Sequence, residues 1–193
     1  MANISDIIQR QPELSFVPPQ NFYVIFDKLP QVVFNCQQVQ IPSVSAGEAT
    51  LTNRFNGANT FIPGDSFDYS NLDITFLLEK NFRNYNTVLK WMKASTTPET
   101  ADQFTEWVEE QSNDYSRNGY ATLMSDCTVY GTDAANDILV EWKFKNAFPV
   151  SLDGPAFDAT AQDVEYLTSN VSLRYSYFTT TTYTNGAINN DTI

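Results

Sequence analysis

Residues Phe61 to Met92, FIPGDSFDYSNLDITFLLEKNFRNYNTVLKWM, place a turn, a period-two strand and an amphipathic helix in direct succession. Leu72, Ile74, Phe76 and Leu78 alternate with Asp73, Thr75, Leu77 and Glu79. That alternation predicts a strand with one face on a core and the other largely toward water. Immediately afterwards Phe82, Tyr85, Val88, Leu89 and Met92 recur at helical spacing, with Arg83, Asn84, Asn86, Lys90 and Lys93 outside the stripe. The spacing predicts a helix lying across the sheet to which the strand belongs.

Working toward the N-terminus, the polar and Gly-containing segment from Pro42 to Asp68 carries Asn56-Gly57, a type I′ hairpin signal when strands flank it. Its flanks are only modestly apolar, so a long hairpin is expected that projects from the body and orders against a partner. Before it, Asn21 to Asp27 and Val32 to Ile41 read as strands. The four residues between them suit an antiparallel hairpin. Residues 1 to 20, with Pro12, Pro18 and Pro19, read as an extended N-terminal arm.

Working toward the C-terminus, Thr100 to Gln103 has capping-box spacing, and Phe104, Trp107 and Val108 follow on one helical face. A short second helix is expected there. Tyr120 to Tyr130, the turn GTDAAND and Ile138 to Lys145 read as a hairpin with one buried face. In the last strand, Val164 to Phe178, Val171, Leu173, Tyr175 and Tyr177 oppose Ser172, Arg174, Ser176 and Phe178. Residues 179 to 193, rich in Thr and Asn, have no periodicity and are expected to form a flexible C-terminal tail. The organisation is thus an arm at 1–20, one mainly β domain at 21–178 and a tail at 179–193.

A chain of 193 residues is long enough to bury a core without metal or disulfide. Its net charge of −12, with −10 of that in residues 101 to 193, argues against phosphate neutralisation, which needs clustered Lys and Arg. Cys36 and Cys127 lack metal-ligand spacing and lie in strand-like runs, as buried structural thiols do. No apolar run reaches the roughly 18 residues of a membrane span, and the N-terminus lacks a signal-peptide pattern. The sequence therefore predicts a soluble, unprocessed protein made in a reducing compartment.

There is no histidine, which removes Ser-His-Asp and Cys-His nucleophilic systems and His-based metal sites together. No phosphate-cradling glycine loop is present. Asp65 with Asp68, or Asp133 with Asp137, could pair as acid and base or hold Ca²⁺, yet such pairs arise by chance among 23 acids. No enzyme and no cofactor is expected.

The order of the elements resembles that of the tail tube proteins of contractile-tailed bacteriophages, of the T4-like myovirus kind. The residues that carry the likeness are NFYVIFD from Asn21, VQIPSVS ending at Ser45, IPGDSFDYSNLDITF ending at Phe76, NYNTVLKWM ending at Met92, and the run from Thr128 to Phe178. The resemblance implies an antiparallel β-sandwich or barrel with one flanking helix and a second short helix. It implies hexameric rings stacked into an inner tail tube, the conduit for DNA ejection, in a virion tail assembled in the host cytoplasm. The partners implied are further copies of the chain, the sheath, and baseplate or initiator proteins. DNA would pass without specific binding, and no membrane anchor is involved. The hairpin of Pro42 to Asp68 matches the family segment that contacts the next ring, with Leu51, Phe55 and Phe61 expected as its apolar anchors. A lumen lined with Asp and Glu would repel the phosphate backbone. Alternatives are a single-ring baseplate or tail-terminator protein of the same fold, or, in a different class, a monomeric carbohydrate-binding β-sandwich or a carboxylate-dependent glycosidase.

Overall fold

A computed structural model of the chain describes residues 20–27, 36–52, 59–111, 122–157, 166–184 and 187–188. The expected N-terminal arm lies outside them, apart from Gln20. The strands are β1 (Phe22–Phe26), β2 (Cys36–Gln40), β3 (Val44–Thr52), β4 (Asn59–Tyr69), β5 (Leu72–Leu77), β6 (Ser125–Thr132), β7 (Ile138–Leu152), β8 (Thr168–Arg174), β9 (Tyr177–Thr184) and β10 (Ala187–Ile188). Between β5 and β6 come the helices α1 (Arg83–Thr96) and α2 (Asp102–Gln111).

All pairings are antiparallel, and the main path runs β1-β6-β7-β8-β5-β2, with β9 added on β7 and β10 on β9. The long strand β7 belongs to two sheets. Its first half, Val140 to Lys145, lies between β6 and β9, and its second half, Phe148 to Leu152, pairs with β8. The bend falls at Asn146, which adopts a left-handed φ of 56° opposite a shift in the β6 register. Each sheet contributes its inward alternation to one core: Val24, Phe26, Cys127, Val129 and Phe144 from the first, and Leu72, Ile74, Phe76, Val171 and Leu173 from the second. The fold is therefore a two-sheet sandwich. It is not a closed barrel, because the path ends at β1 and β2 without these pairing to each other.

Helix α1 packs against the core through Asn84, Val88, Trp91 and Ala94. This face is rotated from the stripe expected by hydropathy, in which Tyr85, Leu89 and Met92 were inward and Asn84 outward. Asn84 can be buried because its amide is satisfied: Nδ2 donates to Leu77 O at 2.7 Å, and Oδ1 accepts from the Tyr85 and Glu79 amides. Phe82, at φ 53°, precedes the helix. In α2, Trp107 and Val108 are buried as expected. The side chain of Gln103 reaches the amide of Glu99, and not that of Thr100, so the expected capping box is displaced by one residue.

Two further expectations change. β1 and β2 do not form a hairpin; β1 pairs with β6 and β2 with β5, at opposite ends of the path. Short separation allows a hairpin, but burial decides the partner: Val24 and Phe26 face the core only beside Val129 and Cys127. The alternation after Tyr175 also breaks. Tyr175 and Phe178 face the aromatic core, while Tyr177 is exposed, because the chain turns at Ser176, whose amide donates to Lys145 O. Residues 179 to 184, read from sequence as the start of the tail, continue as strand β9 along β7.

Candidate assembly surface

β3 and β4 form a two-stranded sheet of their own, continuing outward from the β2–β5 pair. At its base the Ser70 amide donates to Ser43 O (3.1 Å) and the Ser43 amide to Ser70 Oγ (2.8 Å). At the far end of the described ladder, Thr52 Oγ1 donates to Asn59 Oδ1 (3.2 Å). Almost every described residue of both strands is exposed. The turn carrying Asn56-Gly57 lies outside the described residues.

The ladder is interrupted once. Ala46 pairs with Phe67, but Glu48 pairs with Pro63, so three residues of β4 face Gly47 alone. A Cβ at Gly64 would sit 2.8 Å from the carbonyl carbon of Gly47, and one at Gly47 would sit 2.1 Å from Ser66 Oγ. The absence of a side chain at Gly64 lets the backbone of β4 come this close to that of Gly47, and Gly47 leaves room for the Ser66 side chain. Such a bulge kinks and twists the outer half of the ribbon relative to its base.

Of the three anchors expected from sequence, Leu51 and Phe61 are both exposed on this ribbon, and Phe55 lies outside the described residues. Leu51 pairs with Thr60 and Phe61 with Thr50, on neighbouring rungs. They therefore project from opposite faces. Sequence reading overlooked Val44, Ile62 and Phe67, which are exposed beside them. Phe67 was detectable from its alternation with Tyr69 in DSFDY.

The ribbon is anchored through aromatics. The Tyr69 ring meets Phe67 (5.0 Å), Tyr175 (5.8 Å) and Phe178 (5.6 Å), each edge-on. The Tyr175 hydroxyl donates to Ser70 O at 3.0 Å. Burial, with Tyr69 alongside, pushes the Tyr175 phenol up to about 12.

Polar side chains cross-link neighbouring strands on the outward faces of the two sheets. On the second sheet Ser172 Oγ donates to Asp73, Thr75 Oγ1 to Asn170 Oδ1 (3.3 Å), and Arg174 to Asn71 Oδ1 (2.8 Å). On the first, the Tyr183 hydroxyl donates to Glu141 Oε2 at 2.6 Å, and that bond, helped by burial, raises the phenol to about 12. Lys145 donates to Asp126, which also accepts the Asn146 amide.

With a projecting two-stranded ribbon on a two-sheet sandwich, the chain matches, over residues 13–181, the family model described as phage tail tube protein. The chain belongs to that family. No curated protein sequence matches it. Among solved structures it is similar to the tube-terminating cap of the anti-feeding prophage, with a TM-score of 0.57 and 18% identity over 92% of this chain and 99% of the other. It is also similar to a chain of the sheath-tube complex of an extracellular contractile injection system, PVC, in the extended state (TM-score 0.52, 18% identity, 95% and 100% covered). A third likeness is to a chain of the anti-feeding prophage baseplate (TM-score 0.56, 12% identity, 82% and 89% covered). The tail tube fold is thus shared with components of contractile injection systems.

The acid pairs considered from sequence are used locally. Asp133 Oδ1 accepts the amides of Ala135 (2.8 Å) and Asp137 (2.9 Å), the geometry of an Asx turn at the β6–β7 hairpin. Asp65 lies in the bulge of β4, and Asp68 pairs across the ladder with Ser45. Among the described residues no group of three or more acids and cysteines is placed to hold a metal ion. No helix among them is long and apolar enough to cross a membrane. Cys36 lines a small apolar void with Phe26, Ile74, Val88 and Trp91, where burial pushes its thiol to about 11. Cys127 is fully buried, and burial raises its thiol well above the usual range.

Proposed function

We propose that the chain is the repeating, non-catalytic subunit of an inner tail tube, built as hexameric rings that stack, enclosed by a sheath, seated on baseplate or initiator proteins, and traversed by DNA during ejection. The observation that carries the reading is the exposed apolar ribbon continuing from the β2–β5 pair. A two-stranded ribbon is marginal alone in water, and one with large exposed apolar side chains needs a partner surface. Among the described residues no further strand lies on β1 at one end of the path or on β2 at the other, which supports ring closure between neighbours, since unpaired edges invite further strands. Heterologous contacts of this kind close into rings when the rotation allows. Leu51 and Phe61 are the described anchors proposed for stacking, and Phe55 the third.

Electron microscopy of negatively stained purified protein, beside light scattering, tests this reading. Hollow rings and stacked tubes are expected. A chain that stays monomeric at every concentration, and remains so with a seed of assembled tail added, would overturn it. The monomeric sugar-binding sandwich would then regain ground and show as shifted aromatic fluorescence on adding glycans.

A second reading, a single terminating ring, is favoured by the likeness to the anti-feeding prophage cap. Rings that never stack at any concentration would establish it. Under the main reading, acids facing the bore keep DNA from sticking through like-charge repulsion, consistent with the net charge of −12. Charge reversal at bore positions should slow ejection; unchanged passage would remove that explanation.

A further inference from the structure

We propose that residues 3–11 of the N-terminal arm dock in the groove between α1 and α2 of the same chain; the inference concerns the single chain and does not rest on the tube reading. The apolar stripe Tyr85, Leu89 and Met92 of α1 is not the face that the helix turns to the core, which takes Asn84, Val88, Trp91 and Ala94. The stripe is left only partly buried. Beside it the two helices leave a groove of about 280 Å³, lined by Asn86, Leu89, Lys90 and Lys93 from α1 and by Gln103 and Glu106 from α2.

Leu89 gives this groove an apolar floor, α1 a basic wall and α2 an acidic one. A segment that fits is therefore short, amphipathic and carries both signs of charge. Lys90 is paired across the helices with Glu110 (2.6 Å), and Lys93 with Glu99 (2.8 Å). Both pairs are exposed, and such pairs contribute little, so they can rearrange around an incoming charge.

The arm, whose residues 1–19 lie outside the described ones, holds such a segment. Asn3 is a helix-capping residue with Asp6 three positions on, Ile4, Ile7 and Ile8 follow at helical spacing, and Pro12 ends the pattern. Asp6 and Arg10 lie together on one flank of that stripe, one turn apart. Docked with Ile7 and Ile8 on Leu89, the segment brings Asp6 beside Lys90 and Arg10 beside Glu106 and Glu110, so that charges of opposite sign alternate.

The reach selects the chain's own arm. Its root is fixed at the Thr132 end of β6, where the Thr132 amide donates to Asn21 O and Asn21 Nδ2 donates to Asp133 O. The helices are tied through Trp91 and Trp107 to Leu123 and Thr122, just before the Ser125 end of β6. Eight residues of strand separate the two ends by about 25 Å. The connection, residues 12–20, spans at most about 30 Å, and Pro12, Pro18 and Pro19 favour extension. A tether matched in this way to its span gives the arm an effective concentration of about millimolar at its own groove.

The test is made on the full chain. Trypsin cuts after Arg10, and docking slows that cut, which is followed by mass spectrometry of the released peptide 1–10. Leu89→Asp and Ile7→Asp should each speed the cut by about tenfold, as proteolysis tracks the undocked population. Ile7 precedes the domain, so its substitution leaves the core untouched. A benzophenone amino acid at position 8, illuminated in a mixture of isotopically heavy and light chains, should cross-link to peptides of α1 and α2, within heavy or within light chains alone. An Arg10 cut equally fast in all three proteins, or cross-links to any other surface or to none, would overturn the docking. Mixed heavy–light cross-links would show the arm of another copy in the groove and overturn the assignment to the same chain. Each of these outcomes leaves the tube reading intact, since that reading is tested by the presence of rings.

Discussion

The indole rings of Trp91 and Trp107 stack, with centroids 6.2 Å apart and planes 4° from parallel. Trp91 Nε1 donates to Leu123 O (2.6 Å) and Trp107 Nε1 to Thr122 O (3.2 Å), so the two rings tie α1, α2 and the approach to β6 into one unit. Phe26 meets the edge of Trp91 at 6.4 Å. Both indoles are almost wholly buried. Trp107→Ala removes a large buried side chain and leaves the Thr122 carbonyl without its donor, and is expected to cost about 3–5 kcal/mol. Trp107→Phe keeps an aromatic ring and should cost about 1–2 kcal/mol, chiefly from the lost hydrogen bond. Denaturant unfolding followed by tryptophan fluorescence measures both, and equal costs for the two variants would contradict the role given to the indole N–H.

Gly64→Ala is expected to separate stability from assembly. The added methyl meets the Gly47 backbone, which has no flexible end to swing away. The ribbon lies outside the core, so the unfolding free energy should change by less than about 0.5 kcal/mol. Tube formation should fail or require much higher concentration. Normal assembly by Gly64→Ala would show that the bulge does not set the direction of the ribbon.

Asp126 should make the protein acid-sensitive at the β7 bend. Partial burial opposes its charge, but Lys145, the Asn146 amide and Lys143 together outweigh that and lower its pKa. With its folded pKa below the unfolded value, Asp126 contributes stability at pH above its ordinary titration range, near 4, and loses it as pH falls through the lowered value. Both side chains of the pair are partly exposed, so Asp126→Asn should cost only about 1 kcal/mol at neutral pH. That cost should vanish in acid. A penalty that persists at low pH would mean that packing and not charge is responsible.

Thr132 is buried, and its hydroxyl has no hydrogen-bond partner among the described residues. Its amide is satisfied by Asn21 O at 3.1 Å. Thr132→Val replaces the unpaired hydroxyl with a methyl of the same shape and should stabilise the fold by about 1 kcal/mol. A loss of stability on thermal unfolding would mean that the hydroxyl has a partner in solution.

Much of this molecule is set locally, and local pattern is what a sequence displays. The alternation Leu72, Ile74, Phe76 placed β5 and its inward face, and Ile138 to Phe144 placed the start of β7, because a period of two leaves one arrangement that buries one face. The free ribbon was also legible from Asn56-Gly57 and the weakly apolar flanks. Long-range choices were hidden. The pairing of β1 with β6 joins Phe22 to Gly131, and nothing near either residue specifies the other. The rotation of α1 depended on a buried Asn84 and on the stack of Trp91 with Trp107, both of which need partners distant in sequence. The reversal of inward and outward positions after Tyr175 depended on the bend in β7 opposite it. By itself the sequence determined the mainly β class and most of the elements, though not β9, through hydropathy repeats those elements carry alone. Only the tertiary structure decided which edges meet, which helix face is inward and that Leu51 and Phe61 point apart, because these follow from burial shared between segments and from a register fixed across two strands.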